Sequence, residues 1–402
     1  MVLAGQDFPP DIRVEKEASA LRRAGHQVTI VCSQLRSSSP RDEWEGCQVI
    51  RLPRLATVPR ALNKLRMLIT FEDRQWSRAL DAMAAAGTVD AFHVHDLPMA
   101  GTTLDVASRH GLPAIMDLHE NWPAALKYYQ LGGRAIYARL LGPLLSPGRW
   151  EDYETRCCLR ANRVLVVVAE AKDRLVANGV PAGKIEIVEN TVDIEQFNSI
   201  PIDPAITGPY RGDFVISYIG GFGGEHRGLD TAIEAMPAIL QQIPNARLLL
   251  VGRGTIKPKL DAMVAERSLQ DRVTFVDWQP FDKVPSYIAA SAVCLVPHQS
   301  NPHTEATSPH KLFQYMLLKK PVVVSSCRPL QRVIDETGGG AVFEAGRPDS
   351  LAQTIVSLRD AAARDRLGEA GYRAVNDKYS WQVTSRTLLD VYRQLTPEPA
   401  GA

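Results

Sequence analysis

Short β-branched runs recur along this chain, and each is followed by a stretch whose apolar residues have helical spacing. Parallel strands need a crossover of a dozen or more residues, and helices supply it, so the alternation points to parallel sheets with covering helices. In the first half the runs are Met1–Ala4, Gln27–Cys32, Val49–Leu52, Ala91–His95, Ala114–Leu118, Arg163–Val168 and Lys184–Glu189. Helices are expected at Arg13–Ala24, ending at Gly25, and over Arg60–Ala86, where Lys64, Arg66, Arg74 and Arg78 interleave with apolar positions. A polar, proline-bearing stretch, Asn198–Asp213, reads as a linker. The alternation restarts at Phe214–Ile219 and continues through Arg247–Val251, Val273–Val276, Ala292–Pro297 and Val322–Ser325. At 402 residues the chain is too long for one ordinary core. The expected fold class is therefore α/β, two Rossmann-like, doubly wound lobes facing a cleft. The expected bounds are 1–197 and 198–379, with a last helix at 380–396 packing back on the first lobe. Ligands of such sheets bind beyond the carboxyl ends of the strands, so the loops after strands are where chemistry is expected.

Charge and cysteine usage remove several function classes. Lys and Arg number 46 against 45 Asp and Glu, a formal charge of +1, so no global field recruits nucleic acid. No apolar run reaches the ~18 residues that span a bilayer, and the first ten residues lack a leader pattern. Six scattered cysteines without a CxxC pair read as reduced thiols, which gives a cytoplasmic expectation.

Three segments carry candidate chemistry. After Phe214–Ile219 the chain reads Gly220-Gly221-Phe-Gly223-Gly224-Glu-His-Arg227-Gly-Leu229. Glycines let backbone N–H groups approach a phosphate, and Arg227 adds a forked cation; a tight turn with no ligand is the alternative. The loop fits neither the dinucleotide fingerprint nor a Walker motif. After Ala292–Pro297 comes His303-Thr-Glu305-Ala-Thr-Ser308-Pro-His-Lys311-Leu-Phe-Gln314. Thr307 or Ser308 can cap a helix there, with Pro309 and Lys311 in its first turn, where a cation opposes the dipole unless an anion sits between. Gln314 shares a face with Lys311 at i,i+3, and Glu305 lies just upstream. In the first half, Asp117-Leu-His119-Glu120 follows a strand, where a His can donate a proton or hydrogen bond to a reacting centre. His93 and His95 read as structural. No Asp-x-Asp occurs and no His/Asp/Glu set has metal-ligand spacing, so no metal is expected.

Taken together these segments resemble the group 1 (family 4) glycosyltransferases, retaining enzymes of the GT-B fold, over nearly the whole length. The resemblance is carried by Pro9-Pro-Asp-Ile-Arg13, Val94-His-Asp-Leu-Pro98, Asp117-Leu-His-Glu120 and Glu189-Asn-Thr-Val-Asp193 in the first half. In the second it is carried by Ile219-Gly-Gly-Phe222, His226-Arg-Gly-Leu229, Leu250-Val-Gly-Arg-Gly254 and Pro309-His-Lys-Leu-Phe-Gln-Tyr-Met316. It implies an acceptor-binding first lobe and a donor-binding second lobe. Arg227 and Lys311 would neutralise the diphosphate of a nucleotide-sugar, and Gly221 and the helix start at Ser308–Lys311 would supply amides. Glu305 would contact the transferred sugar, Gln314 the ribose, and His119 the reacting sugar. Nucleobase contacts are expected from backbone around Val276–Gln279. The chain departs from the family at Gly221, where many members have Arg, and at Gln314, which replaces the second of two glutamates normally eight positions apart.

The implied activity is transfer of a sugar from a nucleoside-diphosphate sugar to a hydroxyl acceptor, in polysaccharide, glycolipid or glycoconjugate synthesis, with no cofactor beyond the donor. A nucleotide-sugar epimerase and a non-catalytic nucleotide-sugar-binding protein are the alternatives. The acceptor would be a glycan, a lipid-linked molecule or a small hydroxyl compound. Arg60–Ala86 and Lys127–Arg160 mix basic with apolar residues, as peripheral membrane segments and ordinary packed helices both do.

Overall fold

The computed structural model describes residues 1–35, 39–130 and 142–395. The chain divides into two compact units, residues 1–189 with the chain from Ser385 onward, and residues 190–384. The expected boundary at 197/198 thus falls at 189/190. The cause is visible in the bonding of the crossing segment. Trp381 donates its N–H to the Val192 carbonyl, and the Thr191 and Thr384 hydroxyls lie 3.0 Å apart, so 190–197 belongs to the second unit. The expected linker 198–213 lies inside that unit and contains a short helix, Pro204–Thr207, capped by Asp203. The last helix, Trp381–Leu395, begins in the second unit and continues in the first.

In chain order the strands are β1 (Val2–Leu3), β2 (Thr29–Ser33), β3 (Arg41–Trp44), β4 (Cys47–Leu52), β5 (Phe92–His95), β6 (Ala114–Leu118), β7 (Arg163–Val166) and β8 (Ile185–Ile187). The second unit contributes β9 (Phe214–Ile219), β10 (Ala246–Val251), β11 (Val273–Val276), β12 (Val293–Val296), β13 (Val322–Ser325) and β14 (Gly340–Phe343). The first sheet has the order β3-β4-β2-β1-β5-β6-β7-β8 and the second β11-β10-β9-β12-β13-β14. All pairings are parallel except β3 with β4. The central strands β6 and β9 are buried at every position, as parallel strands covered on both faces must be. Two apolar clusters cover the second sheet, one including Ile233, Met236 and Leu248, the other including Leu249, Leu312 and Val324. Alternate residues of β10 thus feed opposite faces.

Two expectations about elements change. β3 is not foreseen, because Arg41–Trp44 is mostly charged and exposed; its backbone pairs with β4, and its Asp42 carboxylate accepts from Arg51 of that strand at 3.3 Å. The expected helix over Arg60–Ala86 is two helices, Thr57–Thr70 and Arg74–Ala85. Phe71 ends the first in a left-handed conformation, and Asp73 restarts the second by accepting from the N–H groups of Gln75 and Trp76. Helices Trp122–Gln130 and Pro147–Arg160 occupy parts of Lys127–Arg160; residues 131–141 of that stretch lie outside the described residues.

Among the parallel strands of each sheet the order reverses direction once, at β1/β5 and at β9/β12. Such a reversal sends neighbouring loops to opposite faces and leaves a crevice at the strands' carboxyl ends. The glycine-rich loop follows β9, and the segment from His298 to Lys311 follows β12, so both flank the second of these points.

Candidate functional site

At the end of β9 the backbone turns at Gly220, whose φ of +147° is open to glycine. A Cβ there would lie 2.2 Å from the Lys311 Nζ. The lysine begins the helix Lys311–Leu317 and places its ammonium 3.5 Å from the centroid of the Tyr218 ring. Tyr315, one turn on, accepts a hydrogen bond from the Ile219 N–H at 2.9 Å, pinning the helix to the strand end. The Tyr218 hydroxyl in turn donates to the Gly221 carbonyl at 3.0 Å. Gly221 and Lys311 are therefore brought together across one tyrosine. The N–H groups of Gly221, Gly223 and Gly224 make no hydrogen bond among the described residues.

Arg227 ends a short turn, Glu225–Arg227, and Gly228 follows in the left-handed region. A Cβ on Gly228 would sit 1.7 Å from the Pro297 carbonyl oxygen, so the loops after β9 and β12 meet backbone to backbone. Neither Arg227 nor Lys311 has an ion-pair partner among the described residues, and the Arg227 Nε is buried without an acceptor. Burial first, and the Arg227 charge second, hold the Lys311 ammonium well below the usual lysine range. Cation–π contact with Tyr218 offsets part of that cost.

The histidines around them respond to the same field. His298, two residues past β12, is buried and neither ring nitrogen has a partner. Burial, then the charges of Arg227 and Lys311, hold it well below the usual histidine range. His226 is pushed down to about 4 by burial and Arg227. The side chains of Ser308 and Gln314 are buried as well, the Ser308 hydroxyl has no partner, and Gln314 makes no side-chain hydrogen bond among the described residues. Uncompensated cations, open amides and unpaired polar groups in one place favour an anion with hydroxyl groups. His298 was not singled out from the sequence; its position just past a buried strand was the available signal.

Two expectations here are altered. Glu305 is occupied: one carboxylate oxygen accepts from the Arg328 N–H (2.9 Å) and Nε (3.2 Å), the other from the Ser300 hydroxyl (2.6 Å). Its geometry is that of a loop anchor. The helix start also moves. It lies at Lys311 with His310 as its cap and no side-chain capping bond, because the Leu312 N–H turns back to the Pro309 carbonyl; Ser308 and Pro309 precede the helix. In the stretch expected to meet a nucleobase, the Val276 carbonyl accepts from Gly252, and Trp278 is 56% exposed beneath the Arg253 guanidinium.

In the first unit, His119 lies past β6 in a buried ionic cluster. Its Nε2 is 2.9 Å from Asp117 Oδ2, and its Nδ1 is 3.6 Å from Asp96. Burial works against its charge, but Asp96 and Asp117 push it up to about 10, so it is an imidazolium at neutral pH. Asp117 is fully buried, and Arg13 donates to both its oxygens at 2.9 Å. Burial opposes that carboxylate's charge, yet Arg13 and His119 hold it well below the usual range. Asp96 has φ 64° and ψ 157°, a region non-glycine residues rarely enter, at a cost of about 1–3 kcal/mol.

Residues without metal-ligand spacing in the sequence come together in this cluster. Glu17, His93, His95 and Asp117 offer ligand atoms within 4.8 Å of one another. The helix Ile12–Arg23 and two neighbouring strands, β5 and β6, bring together what the sequence keeps up to a hundred residues apart. Arg13, however, lies among them, 3.1 Å from Glu17 and 2.9 Å from Asp117, and supplies the positive charge a metal would bring. His93 is further held by the Tyr392 hydroxyl at 2.9 Å, from the last helix.

Comparison with known proteins agrees with this division. A model of the group 1 glycosyl transferases matches residues 213–360, and a model of a glycosyl transferase 4-like domain matches residues 10–191. The chain is similar to an alpha-D-kanosaminyltransferase of Streptomyces kanamyceticus, 20% identical over 293 residues and 71% of each chain. It is also similar to a GDP-mannose-dependent alpha-(1-6)-phosphatidylinositol monomannoside mannosyltransferase of Mycobacterium tuberculosis, 24% identical over 78% of this chain and 85% of that one. Among solved structures, sucrose-phosphate synthase from Thermosynechococcus elongatus superimposes with a TM-score of 0.78, at 22% identity, over 98% of both chains.

Proposed function

The chain belongs to the group 1 glycosyltransferases and is a glycosyltransferase of the GT-B fold, and from that premise we propose that it takes its sugar from a nucleoside-diphosphate donor, passes it to a hydroxyl and retains the anomeric configuration. The observation that carries the donor reading is the pairing of Arg227 with Lys311, two cations that share one electrostatic environment and lack a carboxylate. Negative charge builds on the leaving diphosphate as the glycosidic bond breaks. In this reading Arg227, Lys311 and the N–H groups of Gly221, Gly223 and Gly224 receive it, with no metal step. Preorganised donors of this kind contribute most where charge develops, and removing one typically costs ~10²–10³ in rate. His298 and Gln314 are free to bind oxygen atoms of the donor, whereas Glu305 is left as an anchor. In the first unit, the resemblance and the held charge of His119 support it as the group that acts on the sugar.

The mannosyltransferase relative is named for a GDP-sugar and a glycolipid acceptor, which supports a nucleoside diphosphate as donor and glycolipid or polysaccharide synthesis as setting. Six buried free cysteines fit a reducing compartment such as the cytoplasm. Among the described residues, no helix is long and apolar enough to cross a membrane.

The test is transfer by Arg227→Ala and Lys311→Ala across UDP-, GDP- and ADP-sugars, with product stereochemistry read by NMR. Turnover should fall about 10²–10³-fold in each. Melting temperatures should hold, or rise for Lys311→Ala, since its buried charge is uncompensated. Unchanged turnover in both variants ends the assignment. An epimerised donor in the absence of acceptor, or nucleotide binding with no transfer, would select the alternatives.

A further inference from the structure

Glu17 is wholly buried on helix Ile12–Arg23, and neither of its carboxyl oxygens has a hydrogen-bond partner among the described residues. Arg13, one turn before it, is near enough to supply one, with its Nε 3.1 Å from Glu17 Oε1. Its hydrogens go elsewhere. The single Nε hydrogen points to Asp117 Oδ2 and an Nη2 hydrogen to Asp117 Oδ1, each at 2.9 Å, while Nη1 serves the Val188 carbonyl at 2.8 Å. The other Glu17 oxygen, Oε2, faces the Nε2 of His93 at 3.7 Å, beyond hydrogen-bond reach.

The charges of the cluster balance without Glu17. Arg13 and His119 are cations, Asp117 and Asp96 face them as carboxylates, and burial holds His93 and His95 below the usual histidine range. Tyr392, from the last helix, sets its hydroxyl 2.9 Å from His93 Nδ1. An ionised Glu17 is therefore a buried charge with no donor aimed at it, which is costly. A proton removes that cost. Burial, and after it the Asp117 charge, push the Glu17 carboxyl up to about 8, against the pull of Arg13 and His119.

We propose that Glu17 is a positioning residue for His119: while it carries its proton it leaves Arg13 to Asp117, and Asp117, so held, fixes the imidazolium. Once ionised, Glu17 competes for the same guanidinium and loosens the carboxylate that holds His119 Nε2 at 2.9 Å. The inference rests on the reading of His119 as the group that acts on the sugar. Arg13 stands where a metal would, beside Glu17 and Asp117, so Glu17 titrates as an acid rather than as a ligand.

The test is the pH dependence of kcat at saturating donor, where weaker donor binding at high pH does not enter. In the parent, kcat should fall as pH rises through about 8, approaching tenfold per unit. Glu17→Gln has the shape of the neutral acid and should lack that limb, so its kcat should exceed the parent's about tenfold one unit higher. Stability gives a readout without turnover. The melting temperature of Glu17→Gln should exceed the parent's by a margin that opens between pH 4.5 and about 8 and is constant above, because only the parent must hold a proton in the folded state. Infrared difference spectra of the parent read the same proton directly, as a buried carboxylic-acid band that vanishes as pH passes about 8. A kcat flat through that pH, a limb that Glu17→Gln keeps, or no such band overturns the inference. So does stoichiometric zinc in the purified chain that Glu17→Gln releases, since a metal would then hold Glu17. Transfer by His119→Asn at the parent rate would remove the His119 reading and the positioning role together, with the melting margin still reporting the proton on Glu17.

Discussion

Lys311 and His119 are opposite cases of a held proton. Lys311 is a cation without an acid beside it, so burial and Arg227 lower its affinity for the proton. An arriving diphosphate reverses that, so binding must take up protons between the free protein's lowered value and the ordinary lysine value near 10.5. Nucleoside diphosphates should therefore bind more weakly as pH rises through that window. Calorimetry in two buffers of different ionisation enthalpy would register the uptake, and its absence would separate the ligand from Lys311. His119 is raised from 6.5 to about 10 by its two carboxylates. Its contribution to stability is whole below pH 6.5 and is lost as pH rises through 10. The gap in melting temperature between the parent and His119→Asn should be widest near pH 6 and close toward pH 10; a constant gap would deny His119 its charge. That Gly221, Arg227 and Lys311 fall in the segments just after β9 and β12 was readable, because apolar β-branched runs mark both strands in the sequence. Arg13 and Glu17 were not, since charged residues at i,i+4 on a helix ordinarily face water. Only the fold turns them inward, onto an aspartate inside β6.

At the scale of elements, the loops after β9 and β12 depend on glycine for contact rather than for flexibility. Gly228→Ala combines a left-handed backbone with a Cβ 1.7 Å from the Pro297 carbonyl. It should destabilise by more than about 1 kcal/mol and displace Arg227 next to it. Denaturant unfolding with a parallel transfer assay checks both effects, and full stability would mean the loops stand further apart. Strands rich in Val and Ile were legible from composition because burial on both faces demands those residues. β3 was not, because its residues are mostly charged and exposed and carry no apolar alternation. The break at Phe71–Asp73 was hidden too. Phe71 stacks on Tyr153 at 3.7 Å and meets Trp150 edge-on at 5.0 Å, contacts with residues far along the chain.

For the whole molecule, the decisive fact is that the first unit is completed by the end of the chain. Leu388, Val391 and Tyr392 are buried there, and Arg163 donates to Gln394 at 2.8 Å. Removing residues from 385 onward should strip amide protection from β5, β6 and β7 while β9 through β14 keep theirs. Hydrogen exchange by mass spectrometry reads this directly, and equal loss in both sheets would mean the units do not hold separately. The periodic pattern announced that two sheets exist, but not where the chain changes allegiance. That depends on single bonds such as Trp381 to Val192, which carry no residue signature.

Residues at both ends of the described chain, Met1 and Leu395, consequently lie on the same body. Fluorescent dyes attached near each would report a distance internal to that one unit. An optical experiment on domain motion in this enzyme needs one of its two labels at an interior site between 190 and 384.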